Sequence, residues 1–214
     1  PISGQIKEFF RNIDSKIEMV RFKTFEVLQQ QIAYQNVFIE ETMFKNPDVQ
    51  HRHLVYDPIQ LLTMKVNYFY GQTKGKCAVR TKISAIPKST HKFVSLDGSE
   101  KKTIWQGYLL HYYAYDFNDF IKKFRNFKYH PNTYIIGSRV ESIKRLWRDL
   151  VNDTNLSKDD LKAYYQRWVL FGEHEITRLR KKTVLGIFPK KPGIIKVTSV
   201  RDLLTKKQER SEKL

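Results

Sequence analysis

One cysteine, Cys77, occurs in 214 residues. A lone thiol excludes an intramolecular disulfide framework and any multi-cysteine zinc site. No apolar run approaches the roughly 20 residues of a membrane-spanning helix. Residues 1–5 (PISGQ) lack the basic and apolar regions of a secretory signal. The strings of phosphate-binding loops and nucleophile elbows, G-x-x-x-x-G-K-[ST], G-x-G-x-x-G and G-x-S-x-G, do not occur. Acidic residues are scarce: 22 Asp and Glu stand against 39 Lys and Arg, a net charge of +17. These absences point to an intracellular, non-secreted protein, in the nucleus or another nucleic-acid-containing compartment. They imply no cofactor and no metal.

What is present is apolar mass and positive charge. Hydrophobic residues make up 41% of the chain, with 14 Phe, 12 Tyr and 3 Trp. That is enough to build a core without disulfides. The charge is uneven. Residues 1–50 hold six basic and seven acidic side chains, residues 51–150 hold 18 and seven, and residues 151–214 hold 15 and eight. The first segment is thus nearly neutral, and the remainder carries a field that attracts polyanions.

Residues 5–45 contain neither Pro nor Gly, and Ile6, Phe10, Ile13, Ile17, Val20 and Val27 recur at helical spacing. This predicts a helical region over 5–44. As one helix it is about 60 Å long, too long for one small core. It packs as a broken helix pair inside the domain, or it forms a coiled coil with a protein partner or a second copy. In the second case those six residues are the protein interface.

Residues 46–60 read as a connector interrupted by Pro47 and Pro58. Four β-prone segments follow over 61–116, with an Asp97-Gly98 hairpin signal. Thr103–Tyr115 is aromatic on both alternating faces and predicts a central strand buried on both sides. Residues 117–127 return to helical spacing. Thr133–Ile136 is a short strand or linker. Ser138 with Glu141, and Ser157 with Asp159 and Asp160, read as starts of two further helices. The expected fold class is α+β: a long N-terminal helical region, a mainly antiparallel sheet over about 61–116, C-terminal helices and a short basic β-hairpin or arm. The expected organisation is a helical segment at 1–45, a basic α+β domain at 46–205 and a charged flexible tail at 206–214.

Four cationic clusters are candidate phosphate contacts. Strand alternation puts Lys76, Arg80 and Lys82 on one face, with Cys77 and Val79 facing the core. Lys122, Lys123 and Arg125 lie on the 117–127 helix. Lys144, Arg145 and Arg148 are helical neighbours on the next. Arg178, Arg180, Lys181, Lys182, Lys190, Lys191 and Lys196 lie in a stretch without acid, read as a basic hairpin or arm around VLGIF. Enzymatic signals are weaker. Neither His51-Arg52-His53 nor Glu173-His174-Glu175 converges its side chains from a helix, so no metal site is expected. Cys77 reads as a buried, inert thiol.

The function expected from these residues is a non-catalytic nucleic-acid-binding subunit of a larger assembly. It would grip DNA or RNA through Lys/Arg–phosphate contacts and associate with protein through its N-terminal helix. Two alternatives stay open: a scaffold whose basic surface meets acidic proteins, and a nucleic-acid-processing enzyme with dispersed carboxylates.

Overall fold

The computed structural model describes residues 2–46, 52–67, 75–89, 91–129, 139–181 and 194–196. In chain order the elements are α1 (Ile2–Arg11), β1 (Met19–Val27), α2 (Val37–Glu40), β2 (Met43–Lys45), β3 (Arg52–Asp57), β4 (Leu62–Asn67), β5 (Lys76–Val79), β6 (Ile86–Ser89), β7 (Lys92–Val94), β8 (Thr103–His111), α3 (Phe117–Asn126), α4 (Arg139–Asn152), α5 (Lys158–Trp168), α6 (Glu173–Lys181) and β9 (Ile194–Lys196). Helices and antiparallel sheet coexist, so the class is α+β. Of the described residues, those up to Phe25 and those from Gly75 to Leu110 form one compact unit. Those from Glu26 to Asn67 and from His111 onward form another.

In the first unit, β1 is flanked by β5 and β8. The helix expected over 5–44 is corrected here. It ends at Arg11, where Asn12, Asp14 and Ser15 favour a turn. The Asp14 side chain accepts from Lys16 N at 2.8 Å, and Ile17 N donates to Asp14 O at 2.9 Å. The next residues, MVRFKTFEV, are β-branched and aromatic, poor in a helix and suited to a pleated surface. Ile13, Ile17 and Val20 obey helical spacing in the sequence, but the chain brings them together from a turn and a strand. They form a buried cluster with Phe9, Phe22 and Ile104. Val27 is buried too, whereas Ile6 and Phe10 are exposed. The helical seam expected to bind a partner is thus interior packing at four of its six positions.

The segment 61–116 is not a single meander. β3 pairs with β4 across a turn that Asp57 holds, its Oδ1 accepting from Ile59 N and Gln60 N. β3 falls in the stretch expected to be a connector. β6 pairs with β7, and the Asp97-Gly98 signal marks a real turn, with Gly98 at φ +82° and its N–H donated to Ser95 O. β5 pairs with β1 in antiparallel register, Arg21 opposite Cys77 and Val20 opposite Ala78. The expected double burial of β8 is also corrected: Trp105 is 50% exposed and Tyr108 61%.

In the second unit, the end of β1 pairs with β2, and β2 pairs with β9. The helices pack around an aromatic core. Phe120 contacts Phe124, Trp147 and Tyr165 with ring centroids 4.8–5.3 Å apart, in tilted or edge-on geometry. Asp116 caps α3 through Asp119 N. Ser157 caps α5 as expected, in a full capping box with Asp160. Glu26 and Lys45 are buried cross-strand partners. Lys45 Nζ also lies 4.6 Å from the Phe171 ring centroid. Burial pulls its ammonium down to about 8, against the opposing pull of Glu26 and Glu175. Among the described residues, no helix is long and apolar enough to cross a membrane.

Candidate nucleic-acid interface

The expected cations divide by what their side chains touch. Some hold the fold together. Arg80 does not extend a cationic track, because β5 ends at Val79 and the guanidinium turns back onto the α1–β1 turn. Its Nε donates to Ile17 O at 2.8 Å, and its Nη2 donates to Ile13 O at 3.1 Å and Asp14 O at 3.0 Å. Lys76 is half-buried opposite Phe22. Lys123 donates to Tyr113 O and sits 4.0 Å from that ring's centroid. Arg148 Nε pairs with Asp149 at 2.8 Å, and Lys144 is half-buried. Cys77 is also half-buried, and burial pushes its thiol up, away from the reactive thiolate.

Others are exposed at the surface: Lys82, Lys122, Arg125, Arg145, Arg178, Arg180 and Lys196. The basic stretch from Arg178 is not a hairpin at its start, since Arg178, Arg180 and Lys181 lie on α6. Leu179 and Ile176 turn inward there, and Arg178 and Arg180 are exposed. Lys182, Lys190 and Lys191 lie outside the described residues, as do Thr133–Ile136, the VLGIF segment and the tail from 206. Two residues of the stretch each neighbour Met43. Arg180 Nη2 lies 3.3 Å from Met43 Sδ, and Lys196 is opposite Met43 in the β2–β9 register.

A grouping of exposed cations is built by α3, the end of α4 and the start of α5. The α3 periodicity buries Phe117, Phe120, Ile121 and Phe124. That leaves Lys122 and Arg125, three residues apart, as neighbours on the outer face. Across from them the α4–α5 turn is held by Asp153, whose Oδ1 accepts from Asn155 N at 2.9 Å. The Ser157 cap then starts α5 at Lys158. Between these elements lies a groove of about 630 Å³. Its rim carries Lys122, Arg125 and Lys158, and Asn118 and Asn126 add amide donors and acceptors. Ile121, Val151 and Leu161 contribute apolar surface, and among the described residues Asp153 is the single carboxylate lining it. Three exposed cations beside neutral hydrogen-bonding groups suit phosphate oxygens flanked by sugar or base edges.

Sequence reasoning identified Lys122 and Arg125 but missed Lys158 and the asparagines. Nothing in the sequence links residue 122 to residue 158; only the α3–α4–α5 packing does. No protein-family model, curated protein or solved structure matches this chain.

Proposed function

We propose that this protein binds nucleic acid without acting on it chemically, as a subunit of a larger assembly, and that Lys/Arg–phosphate contacts carry the affinity. The observation behind this reading is the groove on which Lys122, Arg125 and Lys158 converge with one carboxylate for company. The net charge of +17 supplies long-range attraction, which draws polyanions toward such a rim. The test is the double variant Lys122→Ala/Arg125→Ala, measured for duplex binding over a range of salt. Both side chains are exposed, so the fold tolerates their loss. Removing two phosphate contacts flattens the slope of log K against log[salt] by about 1.8. An unchanged slope and affinity overturn the assignment.

A second reading, binding of an acidic protein, is favoured by one feature of the first unit. A groove of about 440 Å³ is lined by Phe10, Ile13, Ile17 and Val20, with Lys82, Arg80 and one carboxylate, Glu18, beside them. An apolar floor with a cation suits an acidic segment with an apolar anchor. Displacement of bound protein from nucleic acid by poly-glutamate, reversed by Lys82→Glu, supports this reading; indifference to poly-glutamate removes it.

A further inference from the structure

The strand β8 presents aromatic rings to solvent in an arrangement that an interior strand would not need. Trp105 is 50% exposed and Tyr108 61%. Each ring is nonetheless fixed from beneath by a residue of β1. The Arg21 guanidinium lies over the Trp105 ring at 4.3 Å from its centroid. Phe25, itself buried, stacks on Tyr108 with centroids 4.5 Å apart and an interplanar angle of 24°. Side chains alternate along a strand, so Arg21, Lys23 and Phe25 share one face of β1.

Their partners on β8 are three residues apart rather than four, and regular alternation would send Trp105 and Tyr108 to opposite faces. Gly107 resolves the mismatch. Its φ of +82° is open to glycine and rare for other residues. A Cβ there would also lie 3.1 Å from the Phe22 ring on the opposite face. The irregularity at Gly107 therefore places both rings on the same side, as a bulge re-aims side chains.

We infer that β8 and the adjoining face of β1 form a stacking platform for the unpaired bases of single-stranded nucleic acid. The inference rests on the nucleic-acid reading above and narrows it. The rings are held by cation–π and aromatic contacts, so they lose little freedom when a base stacks on the outer side. No acid occurs from Lys101 to Tyr115, and Lys102 is exposed at the start of the strand. Glu18 accepts from Lys102 N, and Glu100 interacts electrostatically with Arg21. These two carboxylates offset part of the local positive charge, and the net charge of +17 supplies the remaining attraction for a polyanion. An aromatic surface without cations would suit a neutral apolar partner; this one stands beside Arg21 and Lys23. Duplex bases are stacked on one another and cannot use it, so the platform favours single strands.

The experiment measures binding of oligo(dT), oligo(U) and a mixed-sequence duplex at low salt, by anisotropy of labelled nucleic acid and by tryptophan emission. Wild-type emission is partly quenched by the single strands, since Trp105 is open while Trp147 is buried and Trp168 is half-buried against Tyr56 and Arg167. Trp105→Ala and Tyr108→Ala each weaken single-strand binding by roughly five- to a hundredfold and leave duplex binding nearly unchanged. Trp105→Phe keeps a ring, so it retains most of the affinity while abolishing the quenching; it also decides the matter if the alanine variants do not fold. Equal losses for single strand and duplex, or none for either, overturn the platform and leave the phosphate reading in place. A wild-type protein that binds no nucleic acid at low salt overturns both.

Discussion

Replacing Arg80 is expected to damage stability rather than binding, although its charge and strand position suggest the reverse. Its guanidinium reaches three carbonyls of the turn between α1 and β1, at 2.8, 3.1 and 3.0 Å. Asp14 O also accepts from Ile17 N within the turn, so the guanidinium adds to that bond and ties the turn to the end of β5. A hydrogen bond from a charged donor contributes about 1.5–3 kcal/mol. The site is only partly buried, so water recovers some of that, and Arg80→Ala should cost about 2–4 kcal/mol in all. For a chain of this size that is a melting shift of roughly 5–15 °C. Arg80→Lys should lose most of the same stability, because an ammonium cannot reproduce the planar fork. Lys82→Ala, two residues on and exposed, is the control and should stay within about 0.5 kcal/mol of the parent. Differential scanning calorimetry reads the shifts, and nucleic-acid binding is measured below the melting range. An Arg80→Ala protein that melts like the parent yet loses affinity would refute the reasoning and return Arg80 to the binding surface.

Two further outcomes follow from local geometry. Lys45 is neutral in the folded chain above about pH 8, whereas an unfolded lysine holds its proton to 10.5. The unfolded state therefore binds more protons in that window, and stability should rise with pH from about 8, by at most about 3 kcal/mol near 10.5. Lys45→Met should abolish the rise in melting temperature against pH; a parent profile that is flat or falling from pH 8 to 10 contradicts this. Ser157→Ala removes the oxygen that accepts from Asp160 N, so α5 should lose about 1 kcal/mol. The same change should raise the Asp160 carboxyl, which the Ser157 hydroxyl and N–H hold below its ordinary range, and carbon-detected NMR titration reads that directly.

The helices of the second unit were legible because local rules and packing agree there. Ser157 and Asp160 form the expected cap, and the Phe117–Phe120–Ile121–Phe124 stripe is the buried face of α3. β1 was not legible. Residues Ile13, Ile17 and Val20 satisfy a helical period by coincidence, while the low helix propensity of MVRFKTFEV carried the contrary signal. β3 was hidden because Pro47 and Pro58 in the sequence read as breaks on either side of it, and its buried Val55 has no apolar residue two positions away to announce it. For β8, alternation of aromatic residues reads as burial on both faces. Its exposure depends on Gly107 and on what β1 places beneath the rings, neither of which is a local property. The cations divide for a similar reason. Charge is visible in the sequence, but whether a guanidinium meets a carbonyl, as in Arg80, or solvent, as in Arg125, is decided by tertiary structure.

The most direct measurement of the central claim is the salt dependence of nucleic-acid binding by the intact protein. Phosphate contacts from Lys122, Arg125 and Lys158 alone require a slope of log K against log[salt] of at least about −2.7 on duplex DNA. The exposed Arg180 and Lys196 should steepen it further. Titration with a labelled duplex across low to moderate salt, at fixed pH, gives the slope without any variant. A slope of about −3 or steeper is the result expected from this groove. A slope near zero, or no binding at the lowest salt, would contradict the claim that Lys/Arg–phosphate contacts are what this protein is built to make.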